Sequence, residues 1–178
     1  MKQYLLILIT LSVCLAAFSG CAVPDASPSE VPAAQGGSVT DQASNFPAEP
    51  PHLGISNGNA TVTAWRGTYS WLVEKEDGTG SGITTDTPHP LDCKEGIPSL
   101  KIAKRASLSF SFEESPSSIT VRRYRLNTSD YNAYEEIPVD GSSIEIKPGK
   151  FLYEVIVAWN HPGKPYSGTV YYAFSTFN

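Results

Sequence analysis

Charge is scarce in this 178-residue chain: Asp, Glu, Lys and Arg together make up 17% of it, against roughly 25% in ordinary soluble domains. The 13 basic residues are outnumbered by 18 acidic ones, for a formal net charge of −5, which excludes a strongly basic nucleic-acid-binding surface and argues against docking on an anionic membrane by charge. Cysteine occurs three times, too seldom for a disulfide-stapled scaffold. The longest apolar run, Leu5 to Phe18, is shorter than the roughly 20 residues that a spanning helix needs. No segment carries a convincing 3.6-residue apolar period, and no internal repeat is visible. Glycine-rich phosphate loops, Gly-x-Ser-x-Gly elbows and paired histidines at helical spacing are missing too, so no enzyme activity, cofactor or metal site is expected. Aromatics, by contrast, are plentiful: 9 Tyr, 7 Phe and 3 Trp favour strands over a helical bundle.

One lysine, the apolar run and then Phe18-Ser19-Gly20-Cys21 have the order of a secretory signal. The last four residues resemble a bacterial lipobox, in which small residues admit the processing peptidase and the cysteine sulfur receives a diacylglycerol. Phe18 stands where that family usually has Leu. The resemblance implies a lipoprotein whose signal peptide is residues 1–20 and whose mature N-terminus is an acylated, palmitate-type Cys21. Buried acyl CH₂ groups contribute about 0.8 kcal/mol each, so two or three chains hold an acidic protein on a membrane without basic residues. The expected location is the extracytoplasmic face of the cell membrane.

Residues 21–52 contain Pro24, Pro28, Pro32, Pro47, Pro50 and Pro51, no Lys or Arg, and one large aromatic, Phe46. Such a composition buries too little apolar surface to offset its ordering entropy, and it reads as a disordered tether, with Phe46 either solvated or pinning the tether's end. The tether carries four acidic residues, so the remaining domain, residues 53–178, has 14 acidic and 12 basic side chains and is nearly neutral.

Within that domain a period of two dominates. Strands are expected at Ala60–Trp65 and Tyr69–Val73 with Arg66-Gly67 between them, then at Leu100–Ala103, Leu108–Phe112, Ile119–Tyr124, Ser143–Ile146, Phe151–Trp159 and Val170–Phe174. Asp77 to Gly82 reads as a flexible turn, Thr87-Pro88-His89-Pro90 as a non-helical loop, and Asn127–Pro138 as a loop or short helical turn. Phe151, Tyr153, Val155, Val157 and Trp159 fall on one face of the longest strand with Glu154 on the other. The expected fold is all-β: an antiparallel two-sheet sandwich, immunoglobulin-like, of about seven or eight strands. Tyr153 is a core aromatic or a corner tyrosine.

Once Cys14 leaves with the signal and Cys21 is acylated, Cys93 is the lone thiol. Its surroundings, His89-Pro90-Leu91-Asp92-Cys93-Lys94, raise two sharper readings, a nucleophile activated by His89 and a metal site with Asp86, His89 and Asp92. Both yield to a half-buried small hydrophobe beside a loop histidine. Glu74, Glu76 and Asp77 read as a solvated hairpin tip, and Arg122, Arg123 and Arg125 are split between two strand faces.

Ala64-Trp65-Arg66-Gly67-Thr68-Tyr69-Ser70-Trp71, Thr87-Pro88-His89-Pro90-Leu91, Tyr153–Trp159 and Gly168–Phe174 are similar to an uncharacterised extracytoplasmic β-domain of Gram-positive bacteria. That domain occurs in free lipoproteins and attached to membrane metallopeptidases of the β-lactam-sensor type. From Ile55 to Asn178 the resemblance implies a surface-exposed binding or sensing module without established catalytic residues. No His-Glu-x-x-His stands in this chain, so a sensory role needs a partner in trans.

The function expected is a non-enzymatic binding module held to the membrane through acyl groups on Cys21. Its partner is an envelope component or protein, contacted through Trp65, Trp71, His89, Tyr131, Tyr134, His161 and Tyr166. Strand parity sets Trp65 away from Val62 and Ala64 and puts Trp71 with Tyr69 and Val73, favouring the core for Trp71. The alternative is an inhibitor or regulator of a membrane peptidase that offers the loop Thr85 to Cys93. An inhibitor needs that loop to protrude, a binding module an exposed aromatic patch, and an enzyme a concave pocket with convergent titratable groups.

Overall fold

The computed structural model describes residues 47–178; the signal peptide, Cys21, Phe46 and the tether as far as residue 46 lie outside the described residues. Twelve strands follow one another: β1 (Leu53–Ser56), β2 (Thr61–Thr63), β3 (Trp65–Glu74), β4 (Gly80–Thr85), β5 (Ser99–Lys101), β6 (Ala106–Phe112), β7 (Ser118–Arg125), β8 (Tyr134–Ile137), β9 (Val139–Asp140), β10 (Ser143–Ile146), β11 (Phe151–Trp159) and β12 (Tyr166–Phe177). Among the described residues the one helical element is a 3₁₀ turn at Lys94–Gly96. The strands form a five-stranded sheet in the order β2-β1-β6-β10-β9 and a seven-stranded sheet in the order β4-β3-β12-β11-β7-β8, with β5 beside the end of β12. All pairings are antiparallel except β5 with β12. The two-sheet sandwich is as the sequence predicts. The strand count exceeds seven or eight because six of the twelve are short segments of two to four residues.

Two corners carry the chain between sheets. β2 pairs with β1 in the five-stranded sheet, and one residue later, past buried Ala64, Trp65 pairs with Ala173 in the other sheet. Likewise β8 pairs with β7 and β9 with β10, and between them stands Pro138, which has no N–H to extend a ladder.

Three expectations are corrected. Arg66-Gly67 lies inside β3, where Gly67 is required: a Cβ there would meet the Trp65 ring at 2.8 Å, the Tyr171 carbonyl oxygen at 3.1 Å and Thr87 Oγ1 at 3.3 Å. Gly80-Ser81-Gly82 begins β4, and the turn is earlier, with Gly78 at φ +79°. The stretch 127–138 ends in β8, whose Glu135 and Glu136 stand opposite Arg123 and Arg122; opposite charges on neighbouring strands favour a strand that has little apolar pattern of its own.

Between the sheets lies a core that includes Leu53, Ile55, Trp71, Leu108, Val121, Ile144, Val155, Val157, Trp159, Val170 and Phe174, all at most 1% exposed. Tyr153 belongs here too, stacked on Phe174 at 4.7 Å, and among the described residues its hydroxyl makes no hydrogen bond to an upstream backbone group, so it is a core aromatic and not a corner tyrosine. A second, smaller cluster forms outside the seven-stranded sheet, where Leu91 and Ile97 of the loop after β4 cover Leu152, Tyr124 and Ala173.

Residues 47–52, at the end of the expected tether, are strapped to the domain. Trp71 Nε1 donates to the Pro47 carbonyl (3.0 Å), Arg66 Nη1 to the Pro50 carbonyl (2.8 Å) and Tyr172 Oη to the Pro51 carbonyl, while Arg66 Nη2 also pairs with Glu49 (2.9 Å). Pro50 and Pro51 are buried.

Candidate functional site

Glu154 is buried although its neighbours along β11 are almost all apolar; its side chain is 6% exposed. It sits on the outward face, as parity predicts, directly opposite Arg122 on β7. Arg122 Nη1 donates to Glu154 Oε2 at 3.4 Å, and Tyr124, two residues along β7 on the same face, donates its hydroxyl to the same oxygen at 3.2 Å. This is how the strand tolerates a charge that would cost several kcal/mol if buried alone. Arg122 in turn lies 4.6 Å from the Tyr134 ring centroid. Burial first, then the charge of Glu154, pushes the Tyr124 phenol up to about 12.

The other carboxylate oxygen, Oε1, accepts no hydrogen bond from the described residues and lies 4.0 Å from His89 Nε2. The His89 ring stacks on Tyr131 (centroids 4.2 Å apart, planes at 17°) and meets the edge of Tyr124 at 5.5 Å. Its Nδ1 accepts the Leu91 backbone N–H at 3.2 Å. Tyr131 is held by its hydroxyl, which donates to Asp92 at 2.6 Å.

These groups border a cavity of about 260 Å³ whose walls are Trp65, Gly67 and Thr68 of β3, Tyr171 to Ala173 of β12, the loop segment Thr87–Pro90, and Glu154. A register shift in β12 between Val170 and Tyr172 lies on this wall; bulges of this kind redirect side chains beside sites. With no Cβ at Gly67, the Thr87 side chain can approach the sheet, and the Thr87 N–H donates to Thr68 Oγ1 at 3.1 Å. At its far end the loop is tied down by Lys94 Nζ to the Leu126 carbonyl (2.7 Å) and by the Pro98 carbonyl, which accepts the Ser175 N–H (2.9 Å).

The predicted contact residues divide into three groups. His89 and Trp65 line the cavity, and Tyr131 backs the imidazole. Tyr134, 39% exposed, lies over Arg122 beside it. Trp71 and Tyr166 leave the set of exposed contacts: they are 1% and 2% exposed and stack on each other in the core, where strand parity favours Trp71 and where Tyr166, expected in a loop, begins β12. His161 is elsewhere, its Nε2 bonded to the Ser115 carbonyl at 2.9 Å.

Cys93 does not face the imidazole of His89. Its thiol donates to the His89 carbonyl at 3.6 Å, and burial, then the charge of Asp92, push its pKa up, opposite to what a nucleophilic thiolate needs. Among the described residues no three His, Cys, Asp or Glu side chains are placed to hold a metal ion.

Glu154 is the residue of this candidate site that the sequence pattern left unassigned. Its signal was available: one carboxylate in the middle of Phe-Leu-Tyr-Glu-Val-Ile-Val-Ala-Trp. What the strand pattern alone does not carry is its company, since Arg122, Tyr124 and His89 come from 30 or more residues away. No protein-family model, no curated protein and no solved structure matches the chain.

Proposed function

We propose that the chain is a lipid-anchored, extracytoplasmic, non-enzymatic binding module that takes a small ligand in the cavity over Glu154. The observation that carries this reading is the divided carboxylate. One oxygen is satisfied by Arg122 and Tyr124, and the other opens on a cavity shared with His89 and an indole. Recognition pockets combine mostly apolar walls with a few fixed polar groups in this way, and at about 260 Å³ this one suits a ligand smaller than a typical drug.

Binding is favoured over turnover because Glu154 is the only carboxylate among the described residues that lines the cavity and it is already engaged, whereas acid–base hydrolysis commonly uses two carboxylates in different environments. The peptidase-regulator alternative is less favoured. The loop that would be offered to a protease, Thr85 to Cys93, is fastened to the sheet at Thr87 and just beyond its other end at Lys94, and it buries Pro90 and Leu91. Attachment through Cys21 and the extracytoplasmic location rest on the signal and lipobox residues.

Two measurements test the reading. Native mass spectrometry of the wild-type protein mixed with the dialysable fraction of an envelope extract should show a small-molecule adduct that Glu154→Gln loses; no adduct on the wild type sinks the pocket. Cys21→Ala should move the protein out of the membrane fraction, and unchanged fractionation sinks the anchor.

A further inference from the structure

The hydrogen bonds around the cavity select the chemistry of what enters it. Because the Leu91 N–H donates to Nδ1 of His89, that nitrogen is the bare one in the neutral ring and Nε2 carries the hydrogen. Nε2–H and Glu154 Oε1 are therefore a donor and an acceptor lying 4.0 Å apart, too far for a direct bond. An oxygen about 2.8 Å from each would satisfy both. It must accept from the imidazole and donate to the carboxylate, which a hydroxyl does. An ammonium group cannot, since it has no lone pair for the Nε2–H.

Charge points the same way. The negative charge of Glu154 is opposed by Arg122, which leaves little net field to draw a cation. Among the described residues no Lys or Arg lines the cavity and the one formal charge on its wall is a carboxylate, so an anionic ligand is disfavoured as well. The remaining walls include the Trp65 indole, Pro88, Pro90 and Ala173, apolar surfaces that suit C–H groups, beside the hydroxyl-bearing Thr68, Thr87, Tyr171 and Tyr172.

Resting on the pocket reading above, we propose that the cavity binds a neutral, hydroxyl-bearing ring of saccharide type. One ring hydroxyl bridges His89 Nε2 and Glu154 Oε1, and the C–H face lies along Trp65. His89 is held for this task from two sides, by the Leu91 N–H and by the stack on Tyr131, so little freedom is lost on binding.

The test is a titration of the full-length chain in detergent micelles, followed by the NMR signals of the Trp65 indole N–H and the His89 ring. The probes are the methyl β-glycosides of glucose, galactose and N-acetylglucosamine, with n-butylammonium and acetate as the charged comparisons. At least one glycoside should shift both signals saturably, while the two ions should not. His89→Phe keeps the stack on Tyr131 but removes Nε2–H, and it should weaken the glycoside about tenfold, the loss of one hydrogen bond of about 1.4 kcal/mol. Saturable shifts from butylammonium or acetate, with none from any glycoside, would overturn the saccharide assignment and leave the pocket standing. Silence from every probe would overturn the saccharide assignment, and the missing adduct described above would take the pocket with it. Equal glycoside affinity in His89→Phe would overturn the bridging hydroxyl.

Discussion

The two faces of β11 bury different chemistry. Towards the five-stranded sheet it contributes Tyr153, Val155, Val157 and Trp159 to an apolar core in which none is exposed; towards the loop between β4 and β5 it contributes Leu152 and Glu154 to a cluster with only a handful of apolar members. The inner face is closed by a whole sheet and is almost wholly apolar, with Arg123 only at its end, opposite Tyr153. The outer face is closed by thirteen residues of loop, tied down at its ends, and it supplies a guanidinium and a phenol at the register positions where a carboxylate can use them. One strand thus separates an apolar core from a buried, paired charge by parity alone, each face being answerable to a different partner.

The comparison can be broken first on the inner side. Phe174→Ala should cost about 3–5 kcal/mol in urea unfolding, the usual penalty for emptying an aromatic from a sealed core, and a cost below about 1 kcal/mol would mean that the inner face is not the main store of stability. On the outer side, Arg122→Met leaves Glu154 buried with only Tyr124 and His89 for company, and should cost about 2–3 kcal/mol. Adding Glu154→Leu should restore most of that loss, because the outer cluster then resembles the inner one, while abolishing the glycoside-induced NMR shifts. A double variant that stays unstable would show that the outer charge is structural.

Tyr124→Phe should lose about 1–2 kcal/mol at neutral pH by removing a hydrogen bond to a charged acceptor. It also carries a pH signature. The Tyr124 pKa is raised in the folded protein, from 10.0 to about 12, so its contribution is intact below pH 10 and fades between pH 10 and 12 as the unfolded chain ionises first. The variant's unfolding midpoint should therefore fall less steeply over that window than the wild type's; parallel curves would contradict the buried phenol. Trp71→Phe should have the smallest effect of the four, about 1 kcal/mol, from the lost bond to the Pro47 carbonyl, with the aromatic packing largely kept.

How much of this was legible beforehand follows from which forces are local. Phe151–Trp159 is read with its true ends because nine residues, all but one apolar and rich in aromatic and β-branched types, speak for themselves, even though Leu152 to Val155 are buried on both faces. Tyr134–Ile137 is not, since its two glutamates look like loop until Arg122 and Arg123 are set opposite them. Gly67 looks like a break and is a contact: its missing side chain matters only because the Trp65 ring and Thr87 come within about 3 Å of where a Cβ would be. His89 and Trp65 were nameable as candidates from residue type, and Glu154 could be placed on a face. That they share one cavity depends on a loop folding back over the sheet, and period-two arguments have no purchase on loops.

The strap at residues 47–52 has a mechanical consequence. β1, which follows it, belongs to the five-stranded sheet, but the groups that grip the strap, Arg66, Trp71 and Tyr172, belong to the seven-stranded one. A pull on the chain from its N-terminal side is therefore borne first by the sheet that carries the cavity, through three side chains loaded in parallel, before β1 can be peeled from β6. Tyr172 is at once a point of attachment for residues 47–52 and a wall of the cavity, so a load on the strap and the shape of the cavity meet at one side chain.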